Sequence, residues 1–498
     1  MSQPTFELSV VSSRDGRIGI IDIGSNSIRL VVYDQQKRCP VPIYNEKVMC
    51  ALGKGLATSG ILNPDGIEMA EDALKRFLAM SKNMEVTSLY IMATAAIRDA
   101  QDGKSFARLL SDRYHIDIDI ISGQKEAKLG AFGVCASIHK PNGITGDLGG
   151  GSIELVRVDE GHIEDHTSLL LGSLRMIDET KGDKDKLRKL IDKRFEEINW
   201  LDDHKTSHFY AIGGSFRALA KMHMEHVNYP LKILHEYTVR ADEFAKFLAS
   251  IMELPADKLE KLPGVATKRI PALPGAAMVL EKIIRTAKPK LVVFSASGIR
   301  EGYLYEKLSP FSREQDGLLT SCHEYATKGG RSTAYANELY TWMQPLVDNE
   351  TESQGRIRFA LCLLTDIALH IHPEYRADWA FHRMLYSALT GISHKERVTL
   401  ALALYYRYQY KAKADWPALK LIDASDMRWA KLVGSCANLA YHLSGSVAGS
   451  LHKTSLEPTG KNIALHLTDG MEDAMGDAIR RRIEVINEGF KSYVAKSA

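Results

Sequence analysis

Two short segments carry the residue types that phosphate chemistry needs. Asp22-Ile-Gly24-Ser25-Asn26-Ser27-Ile-Arg-Leu-Val aligns without gaps on Asp147-Leu-Gly149-Gly150-Gly151-Ser152-Ile-Glu154-Leu-Val. Asp, Gly, Ser, Ile, Leu and Val recur at the same offsets. The glycines let main-chain N–H groups approach phosphate oxygens with no Cβ in the way. Ser25, Asn26, Ser27 and Ser152 add side-chain donors. One such turn alone reads equally well as hairpin chemistry. Two matched copies, each led by an aspartate, imply two like domains facing each other across a cleft.

Asp147 and Glu154 bracket the second turn, and Asp22 opens the first. Carboxylates beside a phosphate cradle repel the substrate unless a cation lies between them. Mg²⁺ (or another divalent cation) suits that place, because it takes a few carboxylates together with water and phosphate oxygens. The competing reading for Glu154 is a solvated charge pointing outward from a strand. Arg98, in Thr94-Ala-Ala-Ile-Arg-Asp, could bring its fork of donors to a phosphate, or pair at the surface with Asp99. Glu126, in Ser122-Gly-Gln-Lys-Glu-Ala, could place and deprotonate a water. Its plain alternative is an acid favoured in a first helical turn by the dipole.

The elements that must position these residues read as an α/β pattern. Apolar runs at 18–23 and 28–33 flank the first turn as strands. A helix opens at Asn63-Pro64, a strand covers 89–94, a helix 106–114, an alternating strand 116–120, and Ser122 starts another helix. Residues 209–217 and 291–300 each read as strand, small-residue turn and helix start, a backbone suited to holding an anion. From about Leu308 the texture turns to long helical stretches such as 397–410, with a strand at 461–468 and a final helix through 480–490.

The net charge of +2, from 64 basic and 62 acidic residues, argues against a general nucleic-acid binder but permits a local basic channel. Six dispersed cysteines without a CxxC pair imply reduced thiols, with neither a zinc site nor a disulfide framework. The first residues lack a secretory leader, and no apolar run approaches the length of a membrane span. The chain is therefore expected to be soluble and cytoplasmic.

Taken together, these motifs resemble those of the exopolyphosphatase and guanosine pentaphosphate phosphohydrolase family, in the acetate and sugar kinase, actin and heat-shock chaperone superfamily. The resemblance is carried by both turn segments, Leu52-Gly-Lys-Gly-Leu, Thr94-Ala-Ala-Ile-Arg, Ser122-Gly-Gln-Lys-Glu-Ala and Gly298-Ile-Arg-Glu-Gly. It implies two ribonuclease-H-like (actin-like) α/β domains around a cleft, 1–135 and 136–308. A helical HD-like region, 309–498, would follow, with a small subdomain from about 415. It implies Glu126 as the water-activating glutamate, Asp147 and Glu154 as the metal-associated acids, Arg98 as a phosphate contact, and a homodimer.

The chain departs from that pattern at Lys54 and Lys125, where the family often has acids; the first makes the cleft rim more basic, the second breaks a capping box with Ser122. Asp366, His370, His372, His382 and His394 lack the His-Asp pair of a true HD metal site, so that region reads as degenerate and structural.

The expected activity is release of terminal phosphate from inorganic polyphosphate. Arg217, Arg269 and Arg300 would guide the polymer. Guanosine pentaphosphate is the alternative substrate, with a nucleoside pocket near Gly213-Gly214 or Gly298. A kinase and a non-catalytic alarmone or polyphosphate sensor are the other classes that a two-turn cleft permits. Neither a membrane nor a nucleic acid is an expected partner.

Overall fold

A computed structural model describes residues 16–202, 207–259, 267–328, 333–410, 415–468 and 470–494. The first residues, from which no leader is expected, lie outside them. The chain divides into two units that meet between Gln315 and Asp316.

The first unit is built on two sheets. Strands β1 (Arg17–Ile23), β2 (Ile28–Tyr33), β3 (Pro42–Val48), β4 (Val86–Ala93) and β5 (Ile118–Ile120) lie in the order β3-β2-β1-β4-β5. Strands β6 (Asn142–Leu148), β7 (Ile153–Asp159), β8 (His162–Leu169), β9 (His208–Ile212), β10 (Tyr237–Arg240) and β11 (Leu291–Phe294) lie in the order β10-β11-β9-β6-β7-β8. The plan repeats. An antiparallel three-strand meander opens each sheet, and its first strand then pairs in parallel with a later one, β1 with β4 and β6 with β9. Parallel pairing needs crossovers, which are helical here.

Those helices are α1 (Leu56–Ser59), α2 (Pro64–Asn83), α3 (Ala95–Asp99), α4 (Gly103–Tyr114), α5 (Gly123–Ser137), α6 (Ser173–Thr180), α7 (Lys184–Phe195), α8 (Gly214–His226), α9 (Ala241–Glu253), α10 (Ala256–Leu259), α11 (Leu273–Ala287), α12 (Ile299–Glu306) and α13 (Pro310–Glu314). Helix α2 starts on Pro64, whose fixed φ suits the first helical position, and it buries Ala70, Leu74 and Phe77 against the first sheet's core. Full burial of a side chain such as Phe77 stabilises by about 1.5–3 kcal/mol. The second core gathers Ile144, Phe209, Phe216, Leu280 and Phe294 in the same way.

Local differences from the sequence reading have physical reasons. The alternation over 116–120 predicts five strand residues, but only Ile118–Ile120 pair with β4. Ser122 caps α5 by accepting the Lys125 N–H at 3.2 Å, so the cap survives without an acid at 125. The Lys125 ammonium instead pairs with Glu306 on α12.

The second unit carries α14 (Gly317–Lys328), α15 (Thr333–Met343), α16 (Glu352–Leu364), α17 (Arg376–Tyr386), α18 (His394–Tyr408), α19 (Ala424–Ser444) and α20 (Asp477–Val494), with the hairpin β12 (Thr454–Thr459) and β13 (Asn462–Leu467). Asp366 is buried and held by Arg407 Nη2 at 3.1 Å. His382 stacks on Tyr386, and His394 begins α18. Among the described residues no helix is long and apolar enough to cross a membrane.

Candidate active site

The two turns that share a sequence also share a conformation. Gly24 N–H donates to Ser27 O at 3.0 Å, and Gly149 N–H donates to Ser152 O at 3.0 Å. The first turn is braced by the Leu52 segment, since Ser25 O accepts from Gly53 N at 2.8 Å and Asn26 O from Ala51 N at 3.1 Å. The second is braced by the start of α6. Gly149 O accepts from Ser173 N at 2.9 Å, Gly150 O from Leu174 N at 2.9 Å, and Gly151 O from Arg175 Nε at 3.1 Å. Its carbonyls are thus consumed, while the Gly150 and Gly151 N–H groups make no hydrogen bond among the described residues. A row of N–H groups left over in this way is an anion nest. Side chains would not fit here: a Cβ on Gly150 would stand 2.8 Å from Ser25 Cβ, and one on Gly151 2.8 Å from Ala95 Cβ. The two turns therefore touch.

Three carboxylates gather beside the second turn. Asp147 on β6 and Glu154 on β7 are Cα partners in the antiparallel ladder. Glu154 is only 2 % exposed and accepts from Ser152 Oγ at 2.5 Å and Ser168 Oγ at 3.1 Å. The outward, solvated alternative for Glu154 is thereby overturned, and the Ser152 hydroxyl, a candidate phosphate donor, donates to Glu154. Burial first, then the Glu126 charge, pushes the Glu154 carboxyl well above the usual range. Burial raises Asp147 to about 6, against the pull of Arg217. Glu126, in the first turn of α5, is 6 % exposed, and Arg98 Nη1 holds it at 2.8 Å. Burial lifts it to about 7; Arg98 opposes the rise, and Asp147 and Asp22 add to it. Arg98 also meets Asp99 at 3.1 Å, so the surface pair and the inward contact coexist.

A buried acid and a half-buried one facing each other across a ladder are costly unless a proton or a cation joins them. Asp147 and Glu154 have the donor chemistry Mg²⁺ accepts, with phosphate and water completing the shell. Asp22 fits less well as a direct ligand, because its Oδ2 is held by Arg300 Nη1 at 3.1 Å. Among the described residues no three of His, Cys, Asp or Glu are placed so that together they could hold a metal ion.

A basic cluster lies next to the acids. Arg29 on β2 faces Asp22 across the β1–β2 ladder, and Lys47 on β3 faces Arg29 across the next. Arg217 on α8 donates to Gly213 O and Ala296 O, both at 3.1 Å, and Arg269 donates to Gly214 O. Burial lowers Arg217 to about 10, and Arg300, Arg29 and Arg269 lower it further by repulsion. Lys47 is brought down to about 8 by burial, then by Arg269, Arg29 and Arg217. Neither Arg29, Lys47, Arg217 nor Arg269 forms an ion pair among the described residues. Arg300 differs, for its Nη1 pairs with Asp22 at 3.1 Å, while its buried Nε lies 4.0 Å from Glu301 and makes no hydrogen bond among the described residues.

Gly213, at φ 101°, and Gly298 pack directly on Asp147; a Cβ on Gly213 would lie 2.5 Å from Leu148 O. The candidates 22, 24–27, 98, 126, 147, 149–152, 154, 213, 214, 217, 269, 298 and 300 thus share one region of the first unit. Sequence reasoning missed Arg29 and Lys47. Arg29 was visible as the residue occupying the Glu154 place in the repeat.

Comparison with known proteins identifies the family. A model of the Ppx/GppA phosphatase family matches residues 14–311, and a model described as exopolyphosphatase, C-terminal, matches 318–488. Retrograde regulation protein 2 of Saccharomyces cerevisiae is 26% identical over 445 residues, 82% of this chain and 75% of that protein. Exopolyphosphatase 1 of Mycobacterium tuberculosis is 24% identical over 313 residues, 60% of this chain and 90% of its own. Among solved structures, an exopolyphosphatase from Cytophaga hutchinsonii (23% identity, TM-score 0.53) covers 58% of this chain and 96% of its own. A Ppx/GppA family member from Aquifex aeolicus (22% identity, TM-score 0.51) covers 59% and 99%. Both support the actin-like α/β fold of the first unit. The family match spans more than half of the 498 residues, and the chain belongs to the Ppx/GppA phosphatase family, hydrolases that act on phosphoanhydride bonds.

Proposed function

We propose that this chain is an exopolyphosphatase that releases terminal orthophosphate from inorganic polyphosphate. The observation that carries this reading is the basic cluster. Arg29, Lys47, Arg217 and Arg269 repel one another and lack carboxylate partners among the described residues, beside a carboxylate trio that could cleave an anhydride. Concentrated positive charge of this kind is relieved by a ligand carrying many negative charges at short, regular spacing.

In this reading the Gly150 and Gly151 N–H groups receive the terminal phosphate, and the basic cluster takes the phosphates behind it. A divalent cation bound at Asp147 and Glu154 would neutralise phosphate charge. Glu126 orients a water in line with the scissile bond. As the water oxygen bonds to the terminal phosphorus, the bridging P–O bond breaks. The shortened chain leaves with that electron pair, and Glu126 accepts the water's proton. A carboxyl raised to about 7 by burial suits proton transfer near neutrality.

Guanosine pentaphosphate would require a nucleoside pocket at Gly213-Gly214 or Gly298. Crowding by Leu148, Asp147 and Arg269 at those glycines counts against one there. The test is phosphate release with Mg²⁺ from both substrates, by wild type and Glu126→Gln. Release from polyphosphate that falls by about 10³-fold in the variant is expected. Faster release from guanosine pentaphosphate would reassign the substrate. Release from neither would sink the hydrolytic reading in favour of a kinase or a sensor.

A further inference from the structure

Asp99 is an acid at the end of α3 that takes no part in the steps above. Its two oxygens are divided between two arginines from different parts of the first unit. Oδ1 receives Arg98 Nε at 3.1 Å, and Oδ2 receives Arg175 Nη2 at 3.2 Å. Each arginine then reaches onward. Arg98 Nη1 bonds Glu126 Oε2 at 2.8 Å and Ile121 O at 3.2 Å. Arg175 Nε bonds Gly151 O at 3.1 Å. Asp99 and Arg175 also line a narrow crevice together with Ser25, Ala95, Gly150 and Gly151, where the two turns meet. An alternating series, Glu126, Arg98, Asp99, Arg175, thus runs from the carboxylate beside the reacting water to the main chain of the phosphate turn.

We propose that Asp99 is a positioning residue that couples the hold on Glu126 to the orientation of the Gly151 peptide. The inference rests on the reading of Glu126 as the water-orienting group. A guanidinium is a planar fork, so fixing one edge aims the other. With Asp99 on its Nε edge, Arg98 presents Nη1 to Glu126. With Asp99 on Nη2, Arg175 presents Nε to Gly151 O. That bond fixes the peptide whose neighbouring N–H groups are left for phosphate.

Arg175 has a second acid within reach, Glu179 at 3.9 Å on its own helix. Without Asp99 it turns back along α6 and releases Gly151. The strands and the core need none of this. Removing the charge therefore disturbs the alignment of base and phosphate far more than it disturbs folding. The expected loss lies in kcat, because misaligned groups still bind the substrate through the basic cluster.

The test compares wild type, Asp99→Asn, Arg175→Gln and the double variant in steady-state phosphate release with Mg²⁺. Coupling predicts that each single change lowers kcat about tenfold, leaves KM within about twofold, and that the double is no worse than the poorer single. Losses that multiply to about a hundredfold, or that appear in KM alone, would overturn it. Amide hydrogen exchange over residues 148–152 supplies a readout independent of activity. It should quicken about fivefold or more in both single variants while the centre of β6 stays protected. Unchanged exchange at the turn rejects the coupling, including in the event that wild type releases no phosphate, which would count against the hydrolytic reading instead.

Discussion

The two matched turns have the same main-chain bond and opposite electrostatics. Across the second ladder, Asp147 faces Glu154, and both carboxyls are pushed upward. Across the first, Asp22 faces Arg29 but pairs with Arg300. In the proposed function, a single change of residue type at one repeat position separates the cation site from the polyanion site. On that reading the second turn is completed by positive charge from outside the chain. The first is neutral at Asp22 and basic beyond it, through Arg29 and Lys47. One backbone device, used twice, would on the proposed reading serve catalysis on one side and grip on the other.

The largest effect expected from this contrast is at Glu154. Glu154→Gln keeps the shape and the Ser152 and Ser168 contacts but removes the charge that a metal needs. Metal affinity should fall by about 10–100-fold, read as a shift in the Mg²⁺ concentration that half-activates phosphate release. A variant that is fully active at unchanged Mg²⁺ would break the contrast, leaving Asp147 alone as the acid that matters.

At the equivalent place in the first turn the expected outcome is of another kind. Arg29→Gln should leave kcat nearly intact and raise KM for long polyphosphate by about tenfold, the worth of roughly one phosphate contact. Its binding should also depend less steeply on salt, by about one unit of log K per log of salt concentration. A loss confined to kcat would mean that Arg29 serves the reacting phosphate, and the division between the two turns would fail.

Much of this was legible in the sequence because the chemistry is local. Both turns, their leading aspartates and Glu126 lie within a few residues of strand ends, where periodicity and small residues mark the backbone. What escaped depends on register. Strand β3 holds only exposed and half-buried residues and lacks alternation, so Lys47 gave no signal until pairing set it opposite Arg29. The fate of Ser152 and the shared role of Asp99 depend on which side chains meet after folding, 168 with 154 and 175 with 99, and spacing does not encode that. The arginine that neutralises Asp366 in the helical unit lies 41 residues further along the chain, equally out of reach.

The smallest effect is at Lys47, and its sign is distinctive. Burial and three neighbouring arginines lower its ammonium from 10.5 to about 8, so it is charged below that pH and neutral above it. A polyanion binds the charged form, and affinity for polyphosphate should weaken about threefold as pH rises from 7 to 9.5. Folding stability moves the other way. Between about 8 and 10.5 the unfolded chain holds the proton that the folded chain has released, so this residue's contribution to stability rises with pH. Lys47→Arg keeps the charge throughout and should flatten the affinity profile while leaving binding at pH 7 nearly unchanged. The profile is read by titrating polyphosphate at several pH values against both proteins at constant ionic strength. Equal slopes for the two would mean that Lys47 stands outside the path of the chain, and that Arg29 alone makes the first turn basic.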